Sequence, residues 1–248
     1  MRAPIPASEP RPGRSPGPEN LRIVLLVALT FVTGATDAVS YLGLDRVFTA
    51  NMTGNVALLG FAATGANGLS VLGSVSALFA FVAGAVLGGR ITRRADLRLV
   101  WPRQMSIALG VSIVLLLAVL VWWSGTRSAP QKELVAVGMA LAMGLQGAAA
   151  RRLGVADLPT TVVTSTLTGL AADSFLAGGS GIRWRRRLAS VVALIAGAVT
   201  GGGLVQLDPA LGLIPAVVVL IGVVAVGTGA AARHQAGLGR QMEPAAVG

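Results

Sequence analysis

Six apolar runs, each long enough to cross a lipid bilayer, constrain this chain more than any other feature of its sequence. They lie at about 21–44, 69–89, 104–123, 134–150, 188–206 and 211–231. A bilayer's hydrocarbon core is about 30 Å thick and takes roughly 20 helical residues to span. Inside it every backbone N–H and C=O must be satisfied within the segment, so each run is predicted to be an α-helix. Only 12% of the 248 residues are charged, against about 25% in a soluble domain whose surface must face water. The expected fold class is an all-α, polytopic transmembrane helical bundle whose first partner is the lipid bilayer.

The flanks and two interruptions define the rest of the layout. Residues 1–20 hold six of the twelve prolines and no apolar periodicity, which predicts a disordered cytoplasmic tail. The transmembrane domain is expected over 21–232, with a short cytoplasmic C-terminal tail over 233–248. Two stretches, about 47–64 and 158–177, are apolar but rich in Thr, Asn, Ser and Gly. They either cross fully, giving eight spans, or re-enter from one side, leaving six. Basic residues concentrate on the cytoplasmic side of short loops. With six spans, seventeen of the twenty Lys and Arg fall on the inner side, and Arg46, Arg127 and Lys132 fall outside. With eight spans the division becomes twelve to eight. Six spans are therefore expected, with both termini inside a bacterial cytoplasmic membrane and two re-entrant polar segments.

The halves of the chain resemble one another. Ala83-Gly84-Ala85-Val86-Leu87-Gly88-Gly89 matches Ala196-Gly197-Ala198-Val199-Thr200-Gly201-Gly202 at six of seven positions, 113 residues apart. Thr49 and Thr53 fall on Thr160 and Thr164 at an offset of 111. The basic cluster follows the first AGAVxGG run (from Arg90) but precedes the second (Arg183 to Arg187). Equivalent helices with charge at opposite ends would cross in opposite directions. This predicts an inverted 3+3 repeat, one copy over about 21–124 and the other over about 132–231, an architecture common among secondary transporters. Gly84/Gly88 and Gly197/Gly201 are spaced for close helix packing, within one chain or between the subunits of a homodimer.

The segment Gly34-Ala35-Thr36-Asp37-Ala38 through Phe48-Thr49-Ala50-Asn51-Met52-Thr53-Gly54-Asn55 to Leu58-Leu59-Gly60 resembles a signature of the YoaK family of bacterial membrane proteins, a domain-of-unknown-function family. The run Met143-Gly144-Leu145-Gln146-Gly147-Ala148, with Arg152-Leu153-Gly154, Pro159-Thr160-Thr161 and Leu167-Thr168-Gly169-Leu170, is similar to its second signature. The family usually carries Asn where this chain has Gly147, and often Gly where it has Ser165. The likeness extends over about residues 20–230. It implies a six-span membrane protein and supplies no activity.

Polar groups in hydrocarbon are costly unless paired, so they mark the candidate site. Asp37 is the acidic residue well inside a predicted span. It either carries a proton or cation, or reaches water or Arg46 at the outer interface. Asn51, Thr53 and Asn55 alternate along the first polar segment, and Thr160, Thr161 and Thr164 repeat the theme in the second. Such groups can hold a solute or ion, or bond their own helix carbonyls. Gln146 is a possible midplane partner of Asp37. Arg183, Arg185, Arg186 and Arg187, with Trp184, are expected at anionic lipid headgroups. Trp122 and Trp123 read as interfacial anchors. The chain has no cysteine and a single histidine, His234, near its end. It has no H-E-x-x-H and no G-x-x-x-x-G-K-[ST], and the charge clusters flank apolar spans. These features argue against metal or cofactor sites, ATP hydrolysis, enzymatic chemistry and nucleic acid as a partner. The leading expectation is a small secondary transporter or permease for a polar or ionic solute; a structural or sensory subunit is the alternative.

Overall fold

The structure, a computed structural model, describes residues 18–125, 129–154 and 163–242; Thr160 and Thr161 lie outside them. Among the described residues every regular element is a helix. The helices are α1 (Pro18–Gly43), α2 (Met52–Ala63), α3 (Val71–Thr92), α4 (Arg103–Gly125), α5 (Ala129–Leu153), α6 (Val163–Ala172), α7 (Trp184–Val205) and α8 (Ile214–Met242), with short 3-10 turns at Phe175–Ala177 and Leu211–Leu213. Six of them are long and apolar enough to cross a membrane. The two shorter ones, α2 with 12 residues and α6 with 10, rise only about 18 and 15 Å at 1.5 Å per residue. Neither reaches across a core of about 30 Å.

Burial sorts the spans into a centre and a rim. In α1 and α5, 61% of the spanning window is buried inside the protein, against 22–39% in the other four. The central pair carries the large core side chains Leu26, Leu29, Met139 and Met143, all essentially inaccessible. The rim helices turn Phe79, Val86, Val114, Val121, Val192 and Val199 outward, which is lipid-facing surface.

The most extensive helix contacts are α3 with α5 and α1 with α7, and glycine creates both. A Cβ on Gly34 would strike the Leu194 carbonyl of α7, and one on Gly197 would strike the Phe31 carbonyl of α1. On the other side, a Cβ on Gly144 would strike the Phe81 carbonyl, and one on Gly84 the Leu141 carbonyl. Gly201 and Gly88 repeat the contact one turn along, against Ala35 and Leu145. Without a water-driven hydrophobic term, such backbone approach is what holds membrane helices together. All four glycines of the two G-x-x-x-G spacings thus lie against helices of the same chain, and these faces are not open to a second copy.

The packing has an exchange symmetry. Swapping α1 with α5, α2 with α6, α3 with α7 and α4 with α8 leaves the set of packed helix pairs unchanged. Side chains at both ends fix the directions. Arg22 near the start of α1 donates to the carbonyls of Val100, Leu97 and Leu99 at 3.1, 2.7 and 2.5 Å. Arg152 at the end of α5 donates to the Arg93 carbonyl at 2.9 Å, and Arg186 of α7 pairs with Glu19 at 2.9 Å. The basic segments therefore gather at one end of the bundle, and α1 begins where α5 finishes. Trp123 is not an interfacial anchor: it is buried, with its ring edge 2.9 Å from the place a Gly43 Cβ would take, whereas Trp122 is exposed.

Adding one methyl group at either pairing should force backbones apart. Gly197→Ala and Gly84→Ala are each expected to cost about 1–3 kcal/mol, the range for overpacking a tight contact. The measurement is the unfolding midpoint in detergent, and unchanged midpoints in both variants would contradict glycine-mediated contact.

Candidate functional site

The break between α1 and α2 is built by side chains that hold backbone. α1 ends at Gly43, and residues 44–51 turn back through non-helical geometry. Their amides have lost helical partners, and in an apolar surrounding each must find an acceptor. Asp37, two turns before the end of α1, supplies it. One carboxylate oxygen, Oδ1, accepts from the amides of Ala50 at 2.7 Å, Thr49 at 3.0 Å and Asn51 at 3.3 Å. Three amides thus converge on one oxygen, which serves as their common acceptor.

The A-N-M-T-G-N block completes the latch. Asn55 is fully buried; its Oδ1 accepts from the Phe48 amide at 2.9 Å, and its Nδ2 donates to the Phe48 carbonyl at 2.7 Å. Asn51 caps α2 by accepting from the Gly54 amide at 3.2 Å. Gly54 is required because a Cβ there would sit 2.7 Å from the Phe48 ring, which stacks on Tyr41 with centroids 4.7 Å apart. Thr49 is inaccessible, and its hydroxyl donates to Ser40 at 3.3 Å. Asp37 thus faces neither Arg46 nor Gln146: its bonds go to the backbone of the break. Thr53 belongs to the same motif, but its side chain is exposed.

Gln146 lies deeper, at the contact of the two central helices. Its Nε2 donates to the Leu29 carbonyl at 3.1 Å and to the Thr33 hydroxyl at 3.3 Å. Its Oε1 is buried and accepts no hydrogen bond from the described residues, the costly state for a polar atom. The Gly34–Gly144 correspondence sets α1 against α5 at an offset of 110 residues. On that register Gln146 matches Thr36, whose hydroxyl reaches Met143 Sδ at 3.2 Å, and Asp37 matches Gly147. Gln146–Thr33 and Thr36–Met143 are therefore exchange-related contacts, and the second copy has no carboxylate at the Asp37 position.

The α6 side is held by different chemistry. Arg187, near the start of α7, is buried; it pairs with Asp173 at 2.7 Å and donates to the Gly169 carbonyl. It points into the protein, so of the arginines expected at headgroups Arg187 faces α6 instead. Arg185 and Arg183 are exposed, and the Arg185 guanidinium lies over the Trp184 ring at 6.0 Å. Thr166 is the buried hydroxyl of α6, while Thr164 is exposed. Residue type does not tell these two threonines apart, because hydroxyls occur at Thr164, Ser165, Thr166 and Thr168, around the helix. Ser112 also escaped notice: its hydroxyl donates from α4 to the Ala142 carbonyl at 3.0 Å, and a single Ser in an apolar run carries no signal.

The geometry defines a class: a six-span helical membrane protein whose first span is followed by a carboxylate-latched break and a short apolar helix. The family model described as a protein of unknown function (DUF1275) matches residues 25–226, and this chain belongs to that family. It is 36% identical over 152 residues to the UPF0700 transmembrane protein YoaK of Bacillus subtilis (strain 168), an alignment covering 61% of this chain and 67% of that protein. No solved structure matches the chain.

Asp37→Ala leaves three amides without an acceptor, at about 1–3 kcal/mol for each buried donor stranded. The expected outcome is faster amide exchange across residues 47–55 and a lower unfolding midpoint, with Asp37→Asn intermediate because a carboxamide oxygen still accepts. Arg187→Gln should speed exchange in 163–181 and leave 47–55 unaffected, since the two anchors share no partner.

Proposed function

We propose that this protein is a small secondary transporter or permease for a small polar or ionic solute, and not an enzyme. The observation that carries the reading is the buried, unpaired Oε1 of Gln146, at the contact between the two exchange-related halves. Packing alone would favour an apolar side chain there, and an acceptor at this depth offers a passing solute's N–H or O–H a partner. The exchange-related packing supports an inverted 3+3 repeat, with α2 and α6 as re-entrant elements, and such repeats place sites at their mutual interface near the midplane.

The gathering of basic segments at one end supports a cytoplasmic placement of that end in a bacterial plasma membrane, with the N-terminus inside. On this orientation Arg183 and Arg185 meet anionic headgroups, each worth about 1 kcal/mol near the surface.

The test is solute uptake by proteoliposomes containing the purified protein, across a panel of ammonium compounds, amino acids, small carboxylates, sugars and ions. Uptake above empty vesicles is expected for one class. Gln146→Met keeps the volume and should leave stability within about 1.5 kcal/mol while reducing that uptake at least about tenfold, the effect of about 1.4 kcal/mol. No uptake across the panel, or uptake indifferent to Gln146→Met, would contradict the reading.

A further inference from the structure

At the end of the bundle away from the gathered basic segments, α1, the segment before α3 and the start of α5 enclose a cleft of about 760 Å³. Its lining includes Tyr41, Asp45, Arg46, Gly68, Ser70 and Lys132. Its charges do not cancel. Lys132 and Asp45 form an ion pair at 2.8 Å, which neutralises both. Arg46 is exposed and bonds to no acceptor through its side chain among the described residues. An unpaired guanidinium therefore dominates the cleft.

Its placement is enforced by the backbone. Asp45 and Arg46 both take left-handed geometry, with φ of 54° and 63°, which L residues other than Gly, Asn and Asp rarely adopt. Asp45 is a residue that tolerates this geometry, whereas Arg46 is held in it by its surroundings. The turn is pinned by Leu44 N–H to the Ser40 carbonyl at 2.8 Å and by Arg46 N–H to the Tyr41 carbonyl at 3.2 Å. Gly68, at φ 77°, leaves room beside the guanidinium: a Cβ there would be 3.7 Å from Arg46 Nη1. The N-terminus of α3 borders the same cleft, capped by Ser70, whose hydroxyl accepts from the Gly73 amide at 3.0 Å. That end of the helix carries the positive pole of its dipole.

We propose that this cleft binds a small oxyanion, a carboxylate or phosphate group, gripped by the Arg46 guanidinium fork beside the α3 N-terminus. A planar fork of donors matches two oxygens of such a group. The inference deepens the permease reading by making its solute anionic, and rests on that reading only for the step from binding to passage. The same chemistry belongs to a free anion and to a lipid headgroup phosphate, which the experiment separates.

The full chain, in nanodiscs of zwitterionic phosphatidylcholine, is titrated with inorganic phosphate, acetate and succinate at constant ionic strength set with chloride, and binding is read by calorimetry. Saturable binding is expected, at least about tenfold weaker in Arg46→Gln and intermediate in Arg46→Lys, which keeps the charge but loses the fork. A parallel series replaces part of the lipid with phosphatidylglycerol and counts retained lipids by native mass spectrometry. Phosphatidylglycerol retention lost in Arg46→Gln, without soluble-anion binding, upholds the site with a headgroup as its source. If neither anion nor lipid distinguishes Arg46→Gln from wild type, and both unfold at the same temperature, the proposal is overturned. Binding without flux in proteoliposomes would sink the permease and leave the cleft; flux with no anion binding would do the reverse.

Discussion

Everything in this bundle depends on how closely two pairs of helix backbones can approach. In lipid, apolar side chains gain nothing by leaving the solvent, so contact energy must come from packing and polar bonds. Gly34 against α7 and Gly144 against α3 let α1 and α5 each lie against a rim helix from the opposite half of the chain. Each half is thereby completed by the other. Neither three-span unit has its own closely packed core, which ties the central polar contacts of α1 and α5 to the intertwining of the halves.

That intertwining positions the polar groups. Because α1 is pinned along one face by α7, its opposite side reaches α5, where Thr33 and the Leu29 carbonyl meet Gln146. One turn beyond Thr33, Asp37 faces the returning segment 49–51 rather than another helix. A single helix thus carries two polar stations about 6 Å apart along its axis. One engages backbone through a single carboxylate oxygen, and the other leaves a partner oxygen without a hydrogen bond among the described residues.

Much of the architecture was legible because charge and length are coarse signals that survive in lipid. The long runs named the six spans, and the AGAVxGG repeat located the helix faces of closest approach. The finer assignments depended on which side of an apolar helix faces protein. Lipid and protein interior are equally apolar, so there is no amphipathic stripe to read along α2. Thr53 and Asn55 look equivalent by type and spacing, yet one is exposed and the other fully buried. Gln146 lies near the position equivalent to Asp37 in the fourth span, and approximate position along an apolar run does not fix which side chains meet. The glycine contacts set α1 against α5 at an offset of 110, which makes Gly147 the counterpart of Asp37 and matches Gln146 to Thr36. The Asn55–Phe48 clamp joins a side chain to a backbone seven residues earlier, which composition alone does not announce.

The symmetry is one of packing and not of chemistry. In the first half a carboxylate fastens the break, and the anchor lies on α1 itself. In the second half the equivalent position is Gly147, and the buried guanidinium of Arg187 fastens α6 through Asp173 and the Gly169 carbonyl. The two anchors also sit at different places: Asp37 lies toward the end of α1 remote from the basic segments, while Arg187 lies beside them. Breaking the Arg187 pair leaves a charge in a poorly solvated place, which costs more than the pair itself contributes. Breaking the Asp37 latch frees three amides together, a cooperative step. Two halves with equivalent contacts and inequivalent anchors can respond separately to conditions at the two membrane faces.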